Sequence, residues 1–311
     1  MKKLFFNSFL LSSVFLLFLF SACSSSGQKE QEGSEELFVA SVLTPVNAFT
    51  SGIEGPAVDK NGIIYAVNFE RQGTIGKVTP EGEASLFIEL PEGSIANGIR
   101  FDSEGNMFIA DYMGHNIFKV DMATKELKVY AHNGDMSQPN DIAIDSKNRL
   151  YASDPNWKEG TGRIWRVDTN GEIVLLKDSL GTANGIEVSP DEKTLYVNES
   201  VQRKVWAYEL LPDGNIGERK IFIEFPDFGM DGMRCDKDGN VYITRYGKGT
   251  VVKVSPEGKV LQEIQLTGKS ASNICFGGSD GRTAYVTLAD QGNIETFRVD
   301  IPAREWEMQH K

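Results

Sequence analysis

Six side chains that could donate oxygen to a metal ion recur along this sequence at a nearly constant spacing. They are two carboxylates and four amides: Glu54, Asn97, Asn140, Asn184, Asp231 and Asn273. Ca2+ accepts six to eight such oxygen ligands at flexible geometry, whereas zinc favours His and Cys. A structural role, in which each Asn or Asp only ends a strand or bonds local backbone, is the alternative, but no turn requires Glu54. If the fold brings the six positions together, the pattern predicts a site for Ca2+ or another divalent ion.

The six positions belong to six copies of one pattern. The first copy covers residues 53–67, and equivalent positions in successive copies, from Asp59 to Gly278, are separated by 43, 43, 44, 47 and 42 residues. Each copy predicts two short strands around a Gly/Asp/Asn turn, and the period leaves room for two more strands. Such a period is typical of a β-propeller with one blade per repeat. We predict an all-β, six-bladed β-propeller of four-stranded blades. Each of the six oxygen-bearing positions would lie at the start of a strand that lines the central channel.

The two ends of the repeat region predict how the ring closes. Residues 37–43 form a strand pattern before the first repeat, and the last repeat is too short for a fourth strand of its own. The N-terminal strand is therefore predicted to complete the last blade, which leaves no open sheet edge. The propeller domain would cover residues 37–311, with the tail at residues 302–311 on its surface. A closed ring has no edge for pairing, so we expect a monomer.

The N-terminus has the composition of an export signal. Lys2 and Lys3 precede an apolar stretch that ends before Cys23. Residues 20–23 resemble a bacterial lipobox, from which Phe20 departs, so we predict a lipoprotein signal peptide at residues 1–22 and lipidation of Cys23. Residues 23–36 are polar and are predicted to be a flexible tether. The domain would then be exported and held by its lipid at a membrane of the cell envelope, periplasmic or at the cell surface; an uncleaved membrane-spanning anchor is the alternative.

Composition excludes several other functions. The formal net charge is −12, which disfavours binding to nucleic acids. The sequence contains no phosphate-binding glycine motif and no Cys or His spacing that is typical of zinc sites. Cys235 and Cys275 are predicted to be buried free thiols rather than a disulfide. Of the three histidines, only His115 falls in a predicted pocket loop, so neither a histidine dyad nor a serine triad is expected.

Residues 52–300 resemble the regucalcin/gluconolactonase/luciferin-regenerating-enzyme (SMP-30-like) family of six-bladed propellers. The motifs that carry the resemblance keep their order around the ring: Glu54-Gly55-Pro56, Pro139-Asn140-Asp141, Ser153-Asp154-Pro155, Asn184-Gly185, Asp231-Gly232-Met233 and the stretch from Asn273 to Gly278. The resemblance implies a catalytic Ca2+ or similar ion, and the positions that match the family's ligands are Glu54, Asn140, Asn184 and Asp231. It also implies hydrolysis of a lactone or ester, in which the metal polarises the carbonyl and Asp231 assists attack by water. Glu54 is the second candidate for that base.

Strand direction predicts where a substrate would bind. If each first strand begins at the metal, the loops after the second strands return to the same face and form the pocket. The predicted substrate-binding residues are Asn97, Tyr112, His115, Asp154, Trp157, Arg245 and Asn273. Tyr112, Trp157 and Tyr246 could stack on a sugar ring or an apolar acyl group, while Arg245, Lys158 and Lys248 could bind a carboxylate or phosphate. The sequence leaves this choice open.

Three functions are compatible with these observations. The first is a metal-dependent hydrolase of the lactonase type, acting on a small-molecule lactone or ester. The second is a non-enzymatic propeller of the NHL-repeat kind that binds a protein or glycan, although such a scaffold needs no Glu/Asn/Asn/Asp ring. The third is a phosphotriesterase-like hydrolase that uses the same metal.

Overall fold

The computed structural model describes residues 36–310, which form six antiparallel sheets of four strands each. In chain order the elements are β1 (Ser41–Val42), β2 (Ala57–Val58), β3 (Ile64–Val67), β4 (Thr74–Val78), β5 (Ala84–Glu89), β6 (Ala96–Phe101), β7 (Met107–Asp111), β8 (Asn116–Val120), β9 (Leu127–His132), β10 (Ile142–Ile144), β11 (Leu150–Asn156), β12 (Thr161–Val167), β13 (Ile173–Leu180), β14 (Ala183–Val188), β15 (Thr194–Glu199), β16 (Lys204–Leu210), β17 (Ile216–Glu224), β18 (Met233–Cys235), β19 (Val241–Arg245), β20 (Thr250–Val254), β21 (Val260–Gln265), β22 (Ala271–Gly277), β23 (Thr283–Leu288), β24 (Asn293–Arg298) and the helix α1 (Arg304–Gln309). The predicted all-β, six-bladed propeller of four-stranded blades is confirmed.

The repeated Asp of the sequence pattern holds the turn between the first two strands of a blade. Blades 1 to 5 consist of β2–β5, β6–β9, β10–β13, β14–β17 and β18–β21, and blade 6 consists of β22–β24 with β1. In blade 5, Oδ1 of Asp236 accepts hydrogen bonds from the backbone N–H groups of Asp238 at 3.0 Å and Asn240 at 2.9 Å. Asp59, Asp102 and Asp145 bind their own turns in the same way. A short side chain that accepts two backbone bonds favours the turn locally, which explains why Asp recurs with the period of the blade.

The N-terminal strand closes the ring as predicted. Strand β1 pairs antiparallel with β24, placing Ser41 opposite Thr296 and Val42 opposite Glu295, and the last sheet has the order β1-β24-β23-β22. The strand is shorter than the predicted residues 37–43. Phe38 has a φ of 63°, a conformation that interrupts an extended strand.

The hydrophobic core is divided into six clusters, and each cluster lies between two neighbouring blades. Between blades 1 and 2, for example, the rings of Tyr65 and Phe101 meet edge to face at a centroid distance of 5.6 Å. The cluster between blades 6 and 1 combines Ile53 and Val58 with Cys275 and Tyr285. Burying one large apolar side chain contributes roughly 1.5–3 kcal/mol, so the closing pair of blades is held by the same effect as the others.

The C-terminal tail packs against the propeller as a short helix, which the sequence analysis did not predict. Helix α1 lies at the face of the blade-hairpin turns, where Nε2 of Gln309 donates to the carbonyl of Val58 at 3.0 Å and Nε1 of Trp306 donates to that of Gly278 at 3.1 Å. Arg304 is buried, and its guanidinium donates to the carbonyl of Ile144. The helix has no side-chain cap at its start, so these tertiary contacts stabilise it.

The structure tests the prediction for the two cysteines but not the predictions for the N-terminal residues. Cys235 and Cys275 are free and buried, as expected. The predicted signal peptide, Cys23 and all of the tether except its last residue lie outside the described residues and stay predictions. Within residues 36–310, no helix combines the length and apolarity needed to cross a membrane.

Candidate functional site

The six oxygen-bearing positions all lie where the innermost strand of a blade begins. Asn97, Asn184 and Asn273 lie inside β6, β14 and β22, and the pairing of each of these strands with its neighbour shifts register at this point. In the alternate blades, Glu54, Asn140 and Asp231 directly precede the first strand. Bulges and irregular strand starts at the rim of a sheet re-aim side chains, which suits convergence on the channel axis. We call these six residues the ring.

Direct contacts join the ring residues to one another. Nδ2 of Asn273 donates to Oε2 of Glu54 at 3.0 Å, and Nδ2 of Asn97 donates to Oδ1 of Asn140 at 3.0 Å. The side chain of Asp231 lies beside those of Glu54 and Asn184. Glu54 belongs to blade 1 and Asp231 to blade 5, with blade 6 between them. These contacts join Glu54, Asn184, Asp231 and Asn273 in one group and Asn97 with Asn140 in a second, and the backbone of Gly55 packs against the carbonyl of Asn97 between the two groups.

Glycine follows four of the six ring residues because the ring is closely packed. A Cβ on Gly55 would lie 1.8 Å from the carbonyl oxygen of Asn97, and Gly55 also has a φ of 54°. A Cβ on Gly232 would lie 1.8 Å from Oδ1 of Asn273. Only glycine fits such close approaches, so the recurring Asn-Gly and Asp-Gly pairs are explained by contact between neighbouring blades.

The two ring carboxyl groups have strongly perturbed acidities. Burial raises the pKa of Glu54 to about 7, and the charge of Asp141 adds to this effect, while the hydrogen bonds from Gly55 and Asn273 and the charge of Arg234 oppose it. Burial, and then the neighbouring charge of Glu54, raise the pKa of Asp231 well above its ordinary value, whereas the hydrogen bond with Asn184 lowers it. Two adjacent carboxylates in a desolvated site favour a shared proton or a bound cation.

The carboxylates deeper in the channel differ from the ring carboxylates, because arginines pair with them. Asp141 lies 3.3 Å from both Arg100 and Arg234. Arg234 also reaches Glu305 of helix α1 at 3.4 Å. Glu187 is compensated by Arg100 at 3.9 Å and by Arg304 of the same helix at 3.6 Å. Within residues 36–310, no lysine or arginine forms an ion pair with Glu54 or Asp231. Their charge of −2 is what one divalent cation would balance.

The donor set of the ring fits a hard divalent cation. Every candidate ligand is a carboxylate or amide oxygen. Oδ1 of Asn184 is buried without a hydrogen-bond partner in the described structure, a costly arrangement unless something else binds that oxygen. In the described part of the chain, no group of three or more His, Cys, Asp or Glu side chains could hold a metal, so a cation at the ring depends on the amides.

A second set of buried polar side chains supports the ring, and the sequence analysis did not identify it as a set. Its members lie nine residues after Asp59 or after the equivalent position of another repeat, and they are at most 3% exposed: Asn68, Asp111, Asp154, Asn198, Arg245 and Thr287. Five of them bind the segment that leads into the ring residue of their own blade. Asn68 donates to the carbonyl of Gly52 at 2.7 Å, and Oγ1 of Thr287 accepts from the N–H of Asn273 at 3.0 Å. The signal in the sequence was a fixed offset without a fixed residue type.

Two members of this set had been predicted to bind substrate, and their side chains are already engaged. Asp154 accepts hydrogen bonds from the backbone N–H groups of Ser137 and Gln138 and from Nε1 of Trp165. Arg245 donates to Asp227 at 2.8 Å, and its guanidinium lies 3.7 Å from the ring centre of Phe225. Both hold loops in place, and neither offers a free charge to a ligand.

Asn198 is the exception in this set because it reaches across to the next blade. Its Nδ2 donates to the carbonyl oxygen of Asp231 at 2.5 Å, and a Cβ on Gly185 would lie 2.6 Å from the same nitrogen. Asn198 therefore fixes the backbone of Asp231 against blade 4, beside Asn184. Its Oδ1 is buried without a partner in the described structure.

The remaining predicted pocket residues lie in the loops after the second strands. Tyr112 is half-buried, and burial raises the pKa of its hydroxyl, an effect that the neighbouring side chains of Trp157 and Gln138 oppose. Trp157 is exposed. His115 has a φ of 59° and is partly exposed in the turn after β7. Asn97 and Asn273 both donate an amide hydrogen to a neighbouring ring residue, and their contact with a substrate stays a prediction.

The chain is similar to known proteins over most of its length. Residues 53–290 match the family model described as the SMP-30/Gluconolactonase/LRE-like region. A gluconolactonase from Zymomonas mobilis subsp. mobilis is 28% identical over 290 residues, covering 81% of this chain and 81% of that protein. A diisopropyl-fluorophosphatase from Loligo vulgaris is 25% identical over 288 residues, covering 82% of this chain and 91% of that protein. The matched segment contains all six ring positions.

A similarity among solved structures agrees with the fold. The crystal structure of a calcium-binding protein, regucalcin, from Agrobacterium tumefaciens has a TM-score of 0.73 with this chain at 21% identity. The superposition covers 84% of this chain and 96% of that one. At this level of identity the similarity supports the propeller architecture alone.

Proposed function

From the premise that this chain belongs to the SMP-30/gluconolactonase/LRE-like family, we propose that it is a lactonase-type hydrolase of small lactones or esters that depends on a divalent cation, with Ca2+ the first choice. The observation that carries the proposal is the contact of two carboxyl groups, Glu54 and Asp231, in a ring otherwise made of amides. Keeping two such groups together in a desolvated site costs stability. A propeller that only binds proteins or glycans has no need of that cost.

Glu54, Asn140, Asn184 and Asp231 would hold the cation. When bound, the cation would polarise the carbonyl of the substrate and favour the negative charge that develops on its oxygen. The amides of Asn97 and Asn273 orient Asn140 and Glu54 through the hydrogen bonds described above. Residues that fix ligands in this way commonly affect metal affinity by 10–100-fold.

Asp231 is our candidate for the general base. It is more exposed than Glu54, so water can approach it, whereas Oε2 of Glu54 already accepts hydrogen bonds from Gly55 and Asn273. The Asp231 carboxylate would take a proton from water as the water oxygen bonds to the carbonyl carbon. The ring C–O bond of the lactone then breaks, the leaving oxygen takes that proton, and the product is a hydroxy acid.

A phosphotriesterase-like activity at the same ring is the second candidate. The diisopropyl-fluorophosphatase of Loligo vulgaris supports it as a relative matched over 82% of this chain. The two reactions would use the same carboxylates and differ only in the electrophile, so a substrate panel that includes a phosphofluoridate separates them.

For location, we propose a lipoprotein that is exported and anchored to the cell envelope through Cys23, with the propeller as a monomer. The support is the sequence at residues 1–23 and the closed ring. Metabolic labelling with a palmitate analogue, in the wild-type chain and in Cys23→Ser, tests the anchor. Label that persists in Cys23→Ser would reject this site of lipidation.

The function is tested with the full-length chain in mild detergent, on lactones, aryl esters and a phosphofluoridate. We expect turnover of at least one lactone, loss of turnover in EDTA and recovery with Ca2+. Asp231→Asn should lower kcat by 10²–10⁴-fold, the range for a general base. Asp238→Asn, an exposed control in a turn on the opposite face, should stay within about twofold of wild type.

Other results would reject parts of this proposal. Turnover that is insensitive to EDTA, in a chain shown to be metal-free, would reject cation dependence. Turnover of the phosphofluoridate alone would favour the second candidate. Cation binding without turnover of any ester would favour a binding protein.

A further inference from the structure

Two of the three cationic side chains that the sequence suggested for binding a carboxylate or phosphate are paired with other residues of the chain. The guanidinium of Arg245 is held by Asp227 and Phe225, as described above. Nζ of Lys248 lies 2.8 Å from Glu263. Of the three cations that the sequence suggested for a carboxylate or phosphate, only Lys158 forms no ion pair within residues 36–310. The first of the two binding modes that the sequence left open is therefore favoured: contact with rings or apolar groups.

Two acidic side chains in the same loops also turn inward. Both carboxylate oxygens of Asp154 accept hydrogen bonds from groups of its own blade. Asp111 accepts hydrogen bonds from Oγ of Ser94, from two backbone N–H groups and from Nδ2 of Asn116. Recognition of a polyhydroxylated molecule needs several donors and acceptors that converge on its hydroxyl groups. Asp111 and Asp154 have used their acceptor oxygens internally.

Beside exposed charged residues such as Lys158 and Glu159, these loops also expose large apolar side chains. They come from four successive blades and are between 39% and 63% exposed: Met113, Trp157, Val201, Phe228 and Tyr246. All five lie in loops that precede a first strand or follow a second strand, and therefore at the face of the ring. Isolated exposed apolar residues are ordinary, but a set gathered around one channel mouth is the composition of a binding pocket.

The aromatic residues form two groups on opposite sides of the channel. On one side, Tyr112 of blade 2 lies beside Trp157 of blade 3. On the other side, the ring of Phe228 lies beside the Tyr246-Gly247 turn of blade 5, where a Cβ on Gly247 would be 3.2 Å from Cδ1 of Phe228. In a closed ring of six blades, blade 2 faces blade 5. Two aromatic walls therefore flank the ring.

The second wall is held in an unfavourable backbone conformation. Phe228 has a φ of 43°, which is an outlier for a bulky side chain. The adjacent Asp227 is fixed by two bonds from Arg245, at 2.5 Å to its carbonyl oxygen and 2.8 Å to Oδ1. Strained residues that the surroundings hold in place concentrate at ligand-binding sites. Here the strain presents an aromatic ring three residues before Asp231.

We propose that the two aromatic walls, Tyr112 with Trp157 and Phe228 with Tyr246, select a lactone or ester that carries an apolar substituent next to the reacting group, in preference to a polyhydroxylated sugar lactone. The inference rests on the proposed function, because it names the substrate class of the same site. The aromatic walls bind the substituent by burying its apolar surface. The six ring residues, from Glu54 to Asn273, act on the ester group.

The test compares three δ-lactones that share one ring size. They are δ-decalactone with a pentyl substituent, δ-valerolactone with none, and glucono-δ-lactone with hydroxyl groups. The full-length chain, Phe228→Ala, Trp157→Ala and the outer-strand control Val260→Ala are assayed with Ca2+. We expect kcat/KM to be at least about tenfold higher for δ-decalactone than for δ-valerolactone, as for added methylenes in an apolar pocket. Phe228→Ala and Trp157→Ala should each lower the ratio of kcat/KM for δ-decalactone to kcat/KM for δ-valerolactone by about tenfold, whereas Val260→Ala should leave both values within about twofold of wild type.

The outcomes separate this inference from the function on which it rests. Hydrolysis of δ-valerolactone by the wild-type chain shows that the ring works, and a Tm close to that of wild type shows that both aromatic variants are folded. A higher kcat/KM for glucono-δ-lactone, unchanged by Phe228→Ala and Trp157→Ala, would overturn the inference while keeping the lactonase. An equal loss for δ-decalactone in Val260→Ala would also overturn it. No hydrolysis of any lactone would reject the lactonase proposal itself, and the inference with it.

Discussion

Nδ2 of Asn273 lies 3.0 Å from Oε2 of Glu54, so the last blade of the propeller orients a carboxylate of the first. Asn273 is itself fixed, because Oγ1 of Thr287 accepts its N–H and its Oδ1 accepts the N–H of Ile274. Ring closure by β1 holds blades 6 and 1 together and thereby sets this contact. The geometry of the candidate site thus depends on the closure of the fold.

Replacing Asn273 tests that relationship. Asn273→Ala removes the donor to Glu54 and frees the carboxylate to rotate, so we expect calcium affinity to fall by about 10–100-fold. Isothermal titration calorimetry on the full-length chain measures it. Asn61→Ala is the matched control, an exposed amide in a turn at the other face, and should bind like wild type. Equal affinities for Asn273→Ala and wild type would show that this hydrogen bond does not support cation binding.

Asn198 is expected to position Asp231. Asn198→Ala removes the 2.5 Å hydrogen bond to the Asp231 carbonyl, which should cost about 1–3 kcal/mol of unfolding free energy and lower kcat by about tenfold. Tyr151→Phe is the control, because it removes a buried 3.1 Å hydrogen bond to Asp145 at the opposite face. Urea unfolding and steady-state kinetics on both variants give the comparison. A purely structural role would lower stability in both and leave kcat unchanged in both.

The sequence could predict the blades and the ring because local chemistry repeats there. The Asp that binds each hairpin turn, Asp236 for example, imposes the same residue type in several blades, and the ring position lies five residues before it. Closure by the N-terminal strand followed from counting strands in the last repeat. These features need only short-range hydrogen bonds and the period of the repeat.

The supporting residues could not be predicted in the same way. Asn68, Asp111 and Arg245 occupy equivalent positions, yet each binds a different backbone or side-chain group, so the residue type varies while the task is constant. Arg245 was predicted to contact substrate because the sequence does not show that its guanidinium pairs with Asp227 in the folded chain. Helix α1 and its contacts were not predicted either, since contacts such as Arg304 with Ile144 join residues 160 apart.

The C-terminal helix is predicted to stabilise the channel through its charges. Arg304→Met leaves Glu187 and Glu192 without this partner, and Glu305→Ala removes one of the two carboxylates beside Arg234. Removing one partner of a buried ion pair costs about 3–5 kcal/mol, so we expect a clear loss of unfolding free energy for Arg304→Met. The loss for Glu305→Ala should be smaller, because Arg234 still forms its ion pair with Asp141.

Urea unfolding of these variants is compared with Glu307→Ala, on the same helix. The control should remain within about 0.5 kcal/mol of wild type. If Arg304→Met unfolds at the same urea concentration as the control, the helix covers the channel without stabilising it.

The ring carboxyl groups should make the stability of the cation-free protein depend on pH. The pKa of Glu54 is about 7 in the folded chain against 4.5 ordinarily, and that of Asp231 is also raised. A carboxyl group with a raised pKa binds more protons in the folded state, so its contribution is fully present below about pH 4.5 and is lost as pH rises through 7. For Glu54 the loss is about 3 kcal/mol by the usual conversion of pKa into free energy. Thermal unfolding in EDTA from pH 5 to pH 8 should therefore show a falling Tm.

Saturating Ca2+ should raise Tm most at pH 8, because the cation replaces the proton between the two carboxylates. Glu54→Gln removes one of the two charges and should flatten the curve in EDTA. An equally steep curve in Glu54→Gln would assign the pH dependence to other groups.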